Sequence, residues 1–153
     1  MRKLIAVGFW RNDLREPTTD PWRPDPRLIL ATLGAQPADP QVVSYLRNGR
    51  VFATYRGHSW CRFGCGVRLE SMGSRDLTDG IWLWPEGLVH YVEVHGVALP
   101  GDFIADARRR GGRVPGWPRV LAWIPHNLKA RVIDQTFWNG WFELATHVVG
   151  DDE

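Results

Sequence analysis

Cysteine is scarce in this chain: Cys61 and Cys65 are the only two among 153 residues. So few excludes the disulfide frameworks that staple small secreted domains. No stretch approaches the ~20 apolar residues a bilayer-spanning helix needs. The first apolar run, Leu4 to Trp10, stops at Arg11, Asn12 and Asp13 without a small-residue cleavage signal, so it reads as a strand rather than a leader. Neither charge is in large excess, since 19 basic against 17 acidic residues leave +2, too balanced to require a polyanionic partner. Internal repeats, low-complexity tracts and a G-x-S-x-G elbow are also absent. These absences predict a cytoplasmic, membrane-free protein with reduced thiols, whose length suits one domain.

Tryptophan, in contrast, is abundant, with nine residues. Its large apolar body and single N–H suit cores, interfaces and stacking sites alike. The Pro-rich segment 15–27 reads as a stiff irregular loop. Asp39 as N-cap, Pro40 at the first helical position and Asn48-Gly49 as a stop predict a helix burying Val42, Val43, Tyr45 and Leu46. A strand is expected from Val51 to about Phe63, bent at Gly57. Asp79-Gly80 and Asn139-Gly140 each signal a tight hairpin, the second pairing Trp138 with Trp141 and Phe137 with Phe142. Between them, Pro85 and Pro100 open helices that end at Gly96 and at Gly111-Gly112. The expectation is a single α+β domain over 1–150, an antiparallel sheet with about three helices on one face or end, and an acidic tail at 151–153.

The segment GHSWCRFGCG, 57–66, holds both thiols. On a continuous strand the two cysteines share a face with Cα atoms about 13 Å apart, beyond the roughly 7 Å limit for a bridge. They would then be reduced packing groups. If Gly64 and Gly66 turn the chain instead, His58, Cys61 and Cys65 form an H-x2-C-x3-C ligand set for zinc, with a fourth ligand such as His95. On an ideal helix His90 and His95 point about 140° apart, so at most one of them is expected at an ion. A third reading makes Cys61 a nucleophile served by a histidine and Asp76 or Asp79.

Charged and aromatic residues gather in two places. Arg56, His58, Trp60 and Arg62 alternate along one side of the second strand, a pattern that stacks on bases or clamps an acidic partner. In GSRDLTDGIWLWPEG, 73–87, Trp82 and Trp84 fall on one strand face and Ile81 and Leu83 on the other, so this strand is either covered twice or leaves a face for a partner. Arg108, Arg109, Arg110 and Arg113 read as the cationic end of a helix.

The runs YRGHSWCRFGCG and GSRDLTDGIWLWPEGLVHYVEVHGVALP, with the opening VGFW, resemble a group of small bacterial proteins sharing SWCRxxC and LTDGxWxWPEGLxHYV. That resemblance implies an intracellular single-domain protein and transfers neither a catalytic residue nor a cofactor. The helix opening LPGDF is similar to that of SMI1/KNR4-type immunity proteins, which neutralise toxins by binding them. The favoured expectation is therefore a non-catalytic protein-binding module without a cofactor, such as a toxin-neutralising immunity protein. It would present Trp60, Arg62, Arg75, Asp76, Asp79, Trp82, Trp84 and Glu86 to a protein, with nucleic acid not excluded. Its alternatives are a small zinc-binding domain on His58, Cys61, Cys65 and His95, and a hydrolase or transferase centred on Cys61.

Overall fold

The structure, a computed structural model, describes residues 3–12, 24–116 and 132–147. Its elements in chain order are β1 (Leu4–Ala6), α1 (Pro26–Leu33), α2 (Pro40–Arg47), β2 (Arg50–Thr54), α3 (Leu69–Met72), β3 (Arg75–Thr78), β4 (Trp82–Pro85), α4 (Leu88–Glu93), α5 (Gly101–Arg109), β5 (Ile133–Asp134) and α6 (Thr136–His147). The class is α+β, as expected. The sheet, however, is mixed rather than antiparallel, with order β2-β3-β4-β1-β5. β2, β3 and β4 form an antiparallel meander, while β1 inserts parallel to both β4 and β5. Six helices, twice the expected number, lie among the described residues. None of the described helices is long and apolar enough to cross a membrane. The expected acidic tail lies outside the described residues.

The α2 helix forms as its sequence dictates: the Asp39 carboxylate accepts the Gln41 N–H at 2.9 Å, and Val42, Tyr45 and Leu46 are buried. An equivalent Asp25-Pro26 start opens α1, so the last residues of the expected loop 15–27 are helical instead, while 15–23 lie outside the described residues. The strand expected to reach Phe63 stops at Thr54. Pro85 and Glu86 do not open a helix, because Pro85 still pairs with Asp76 across the sheet and α4 begins only at Leu88.

The largest departure is at Asn139-Gly140, which lies inside α6 and not in a hairpin turn. A helical glycine costs about 1 kcal/mol relative to alanine. Burial of Trp138 outweighs it: the indole is fully enclosed, donates to the Phe9 carbonyl at 3.0 Å, packs edge-on to Trp10 and stacks on Trp141. The Asp134 carboxylate, accepting the Thr136 N–H at 2.9 Å, fixes where the helix starts.

The central strand β4 is covered twice. Trp82 and Trp84 enter the larger core beside Tyr45, Phe103 and Leu88, whereas Leu83 packs on the other face with Leu4, Phe52 and Ala53. Both indole N–H groups are satisfied, by Asp106 at 2.8 Å and the Leu46 carbonyl at 3.1 Å. The β3–β4 hairpin expected at Asp79-Gly80 is present, and Gly80 takes φ +93° in its turn. Asp79 Oδ1 accepts the N–H groups of Ile81 and Trp82 at 2.8 and 2.6 Å, while Oδ2 accepts from the Tyr45 hydroxyl and from Arg110. This carboxylate therefore ties the turn to α2 and to the end of α5.

At the opposite end of the hairpin, Glu86 accepts Arg75 Nη2 at 2.6 Å and the N–H groups of Ser74 and Arg75 at 3.0 and 3.2 Å. Gly73, at φ +75°, leaves room for that carboxylate, which a Cβ would strike. The Arg75 hydrogen bond, joined by the two amides, holds the Glu86 pKa below its ordinary value against the opposing effect of burial.

Asp79→Ala is expected to destabilise the fold by about 3–5 kcal/mol in urea unfolding, because it strands Arg110 and two amides. Asp79→Asn, which keeps an acceptor for the amides, should lose less. Because Glu86 has a depressed folded pKa, its contribution is complete above the ordinary glutamate value of about 4.3 and disappears as pH falls through the folded value. The stability gap between wild type and Glu86→Gln should therefore be widest at neutral pH and close on acidification.

Candidate metal centre

Beyond Thr54 the chain crosses from β2 to α3 without regular structure, yet it is held closely. Tyr55 N–H donates to the Ser74 carbonyl at 2.8 Å and Ser59 N–H to Gly73 at 2.9 Å. The Cys61 carbonyl then accepts Gly64 N–H at 3.0 Å, closing a four-residue turn. Gly64 and Gly66 take φ +63° and +81°, left-handed values that glycine adopts without steric penalty. The two glycines thus reverse the chain around Cys65, and the continuous strand that would separate the sulfurs does not form. Against the larger opposing effect of burial, the backbone amides of Phe63 and Cys65 favour the Cys61 thiolate.

The opposing side comes from α4. Its last residue is Glu93, and Gly96 at φ +67° ends the following turn, with Val97 N–H returning to the Tyr91 carbonyl at 3.1 Å. His90 lies in the helix and His95 lies beyond it. An angle computed for one continuous helix does not govern the pair, and their Nε2 atoms meet at 3.2 Å. Tyr91, between them, accepts Arg62 N–H at 2.9 Å and lies 3.2 Å from the Trp60 carbonyl, fastening the cysteine turn to the helix. Phe63 stacks on the His95 ring with centroids 4.3 Å apart.

Cys61, Cys65, His90 and His95 consequently offer four ligand atoms that all lie within 4.8 Å of one another. Cys61 Sγ is 3.4 Å from His95 Nε2, and Cys65 Sγ is 3.5 Å from His90 Nε2. A tetrahedral zinc ion with bonds of about 2.3 Å to sulfur and about 2.0 Å to nitrogen requires edges of about 3.5 Å for S···N and about 3.3 Å for N···N. Those three separations match the corresponding edges, and the remaining three lie within 4.8 Å. In the metal-free chain the same contacts are thiol–imidazole and imidazole–imidazole hydrogen bonds. Burial raises the Cys61 thiol pKa, with Cys65 adding to the effect, and lowers the pKa of both imidazoles. A bound cation reverses the penalty on the thiolates.

Of the residues expected at zinc, Cys61, Cys65 and His95 converge. His58 is exposed and outside the group, and His90 takes its place. Sequence did carry the signal: C-x3-C followed by H-x4-H lies within the spacing range of Cys2His2 sites. The assumption of one unbroken helix obscured it. Of the two cysteines expected to pack in the core, Cys61 is buried and Cys65 is exposed.

The residues expected to face a partner do not form one surface. Trp82, Trp84, Asp76 and Asp79 are buried, and Asp79 lies at the other end of the hairpin from Arg75, Asp76 and Glu86. The two tryptophans fill the core and are closed to a partner in this fold. Trp60, 41% exposed, retains the expected character, with the Arg62 guanidinium 4.3 Å over its ring. No protein-family model, curated protein or solved structure matches the chain.

In metal-free reduced protein, a thiol reagent should modify exposed Cys65 promptly and buried Cys61 slowly. Added zinc should slow both reactions, as followed by mass spectrometry of the labelled peptides.

Proposed function

We propose that the chain is a non-catalytic domain in which one structural zinc ion, held by Cys61, Cys65, His90 and His95, locks the 55–68 crossover onto α4. The observation that carries this reading is the convergence of four donor atoms within 4.8 Å, two from a glycine-flanked turn and two from the end of a helix, with three of their separations at tetrahedral edge lengths. Two thiolates and two imidazoles suit zinc and disfavour magnesium or calcium, which prefer oxygen. Four protein ligands fill the tetrahedron and leave no position for an activated water, so the ion's contribution is architectural. The nucleophile reading is weaker, because Cys61 is only 5% exposed and its thiol is pushed toward the protonated form by burial.

Recognition of a protein partner, a toxin included, is a second reading, supported by the half-exposed Trp60 and its stacked arginine beside the cysteine turn. The zinc would then hold that turn rigid, which reduces the ordering cost of binding. Loss of complex formation with a candidate toxin on Trp60→Ala, with the fold retained, is its test.

For the metal reading, protein purified without added zinc is expected to carry one zinc per chain. Its cobalt-substituted form should show intense visible d–d bands of a tetrahedral ion and thiolate charge transfer. Cys65→Ser and His90→Ala should lose the metal, whereas His58→Ala should keep it. Saturating zinc, about 1,000-fold above Kd, adds about 4 kcal/mol. Chelation should then lower Tm by roughly 10 °C. Substoichiometric metal that zinc addition does not correct, or full retention in Cys65→Ser, would refute the assignment.

A further inference from the structure

The strands β1, β2, β4 and β5 run in one sense, since β1 is parallel to β4 and β5 while β2 reaches β4 through two antiparallel pairings. Beyond their carboxyl ends lies a crevice of about 620 Å³, walled by Gly8 to Trp10 after β1, Tyr55 to Ser59 after β2, Pro85 and Glu86 of β4's end, and Gln135 after β5. Arg75 and Asp76, at the start of antiparallel β3, reach the same end. Open sheets bind ligands in crevices of this position, and the volume suits a small metabolite.

Its charge indicates what would enter. Three arginines, Arg56, Arg62 and Arg75, and His58 line it against two carboxylates, Asp76 and Glu86. Both carboxylates are engaged within the wall: Glu86 holds Arg75 and two amides, and Asp76 accepts the Tyr55 hydroxyl at 2.7 Å. The Arg62 guanidinium is held by the Arg11 and Trp60 carbonyls, Ser59 and Asn12. Arg56 is exposed at the rim and makes no ion pair among the described residues. Trp10, 4% exposed, also lines the crevice, and its indole N–H lacks an acceptor among the described residues. Wall carboxylates already satisfied, with a guanidinium lacking a counter-charge and a buried donor lacking an acceptor among the described residues, call for a ligand rich in anionic oxygen.

We propose that this crevice binds a small molecule through a phosphate or carboxylate group, with Arg56 as its principal charge partner. None of the four metal ligands lines the crevice, so this assignment stands apart from the zinc reading.

The test is titration of ¹⁵N-labelled, metal-assayed protein with inorganic phosphate and, separately, malonate, with chloride holding ionic strength constant. Saturable shifts are expected at the Gly57, His58 and Ser74 amides and the Trp10 indole. Arg56→Ala should weaken binding about tenfold or more, the loss of one charged hydrogen bond. Arg113→Ala, an exposed cation outside the crevice, should leave it unchanged. Response to phosphate alone or malonate alone would each support the site and identify the oxyanion. Absence of saturation with both, affinity unaltered in Arg56→Ala, or an equal loss in Arg113→Ala would overturn it.

Discussion

Two thiols and two imidazoles drawn together at one point dominate the architecture between β2 and α5. Fourteen residues, 55–68, run there without a ladder of their own, and such a segment has little reason to stay in one conformation unless something outside it fixes the ends. Tyr91 supplies part of that constraint through the backbone of Arg62 and Trp60. The sulfur and nitrogen donors supply the rest, and they make it depend on the state of four titratable side chains. A cation placed among them converts several weak, tautomer-dependent contacts into directed bonds, the general reason that small irregular segments are so often stabilised by metal.

The remainder of the fold gives this crossover a rigid base. With apolar side chains on both faces, β4 must be enclosed from two sides, by α2 and α5 across Trp82 and Trp84 and by the smaller cluster across Leu83. The polar ends of the hairpin are tied by carboxylates: Asp79 at the turn, Glu86 at the exit. Neither is a spare surface charge. Glu86 and Arg75 form one wall of the crevice at the carboxyl ends of the parallel strands, and the crossover forms another. The same chain segment thus borders the candidate metal centre on one side and the candidate anion site on the other.

Whereas the Asp25-Pro26 start of α1 was hidden by the surrounding prolines, the equivalent start of α2 was legible at Asp39-Pro40, because that bond lies within two residues of the position it sets. The Asp79-Gly80 turn was legible for the same reason. At Asn139-Gly140 an equally clear local signal was overridden, since the free energy at stake in enclosing Trp138 exceeds what a two-residue turn contributes. The sheet's mixed character was hidden as well: parallel pairing joins β1 to residues 77 positions away in β4 and 129 away in β5, and leaves no periodicity in the strands that distinguishes it from an antiparallel neighbour.

By itself, then, the sequence determined the α+β class, the Asp39 cap and the Asp79-Gly80 turn governed by short-range hydrogen bonds, the two-faced apolar pattern of β4, and the availability of a C-x3-C turn. Tertiary structure alone decided which histidines meet those cysteines, which tryptophan stays accessible, and that Arg56 and Trp10 border one crevice. The reason is geometric. Hydrogen bonds and side-chain alternation act over a few residues, whereas a ligand set or a pocket is built by segments whose separation in space bears no fixed relation to their separation along the chain.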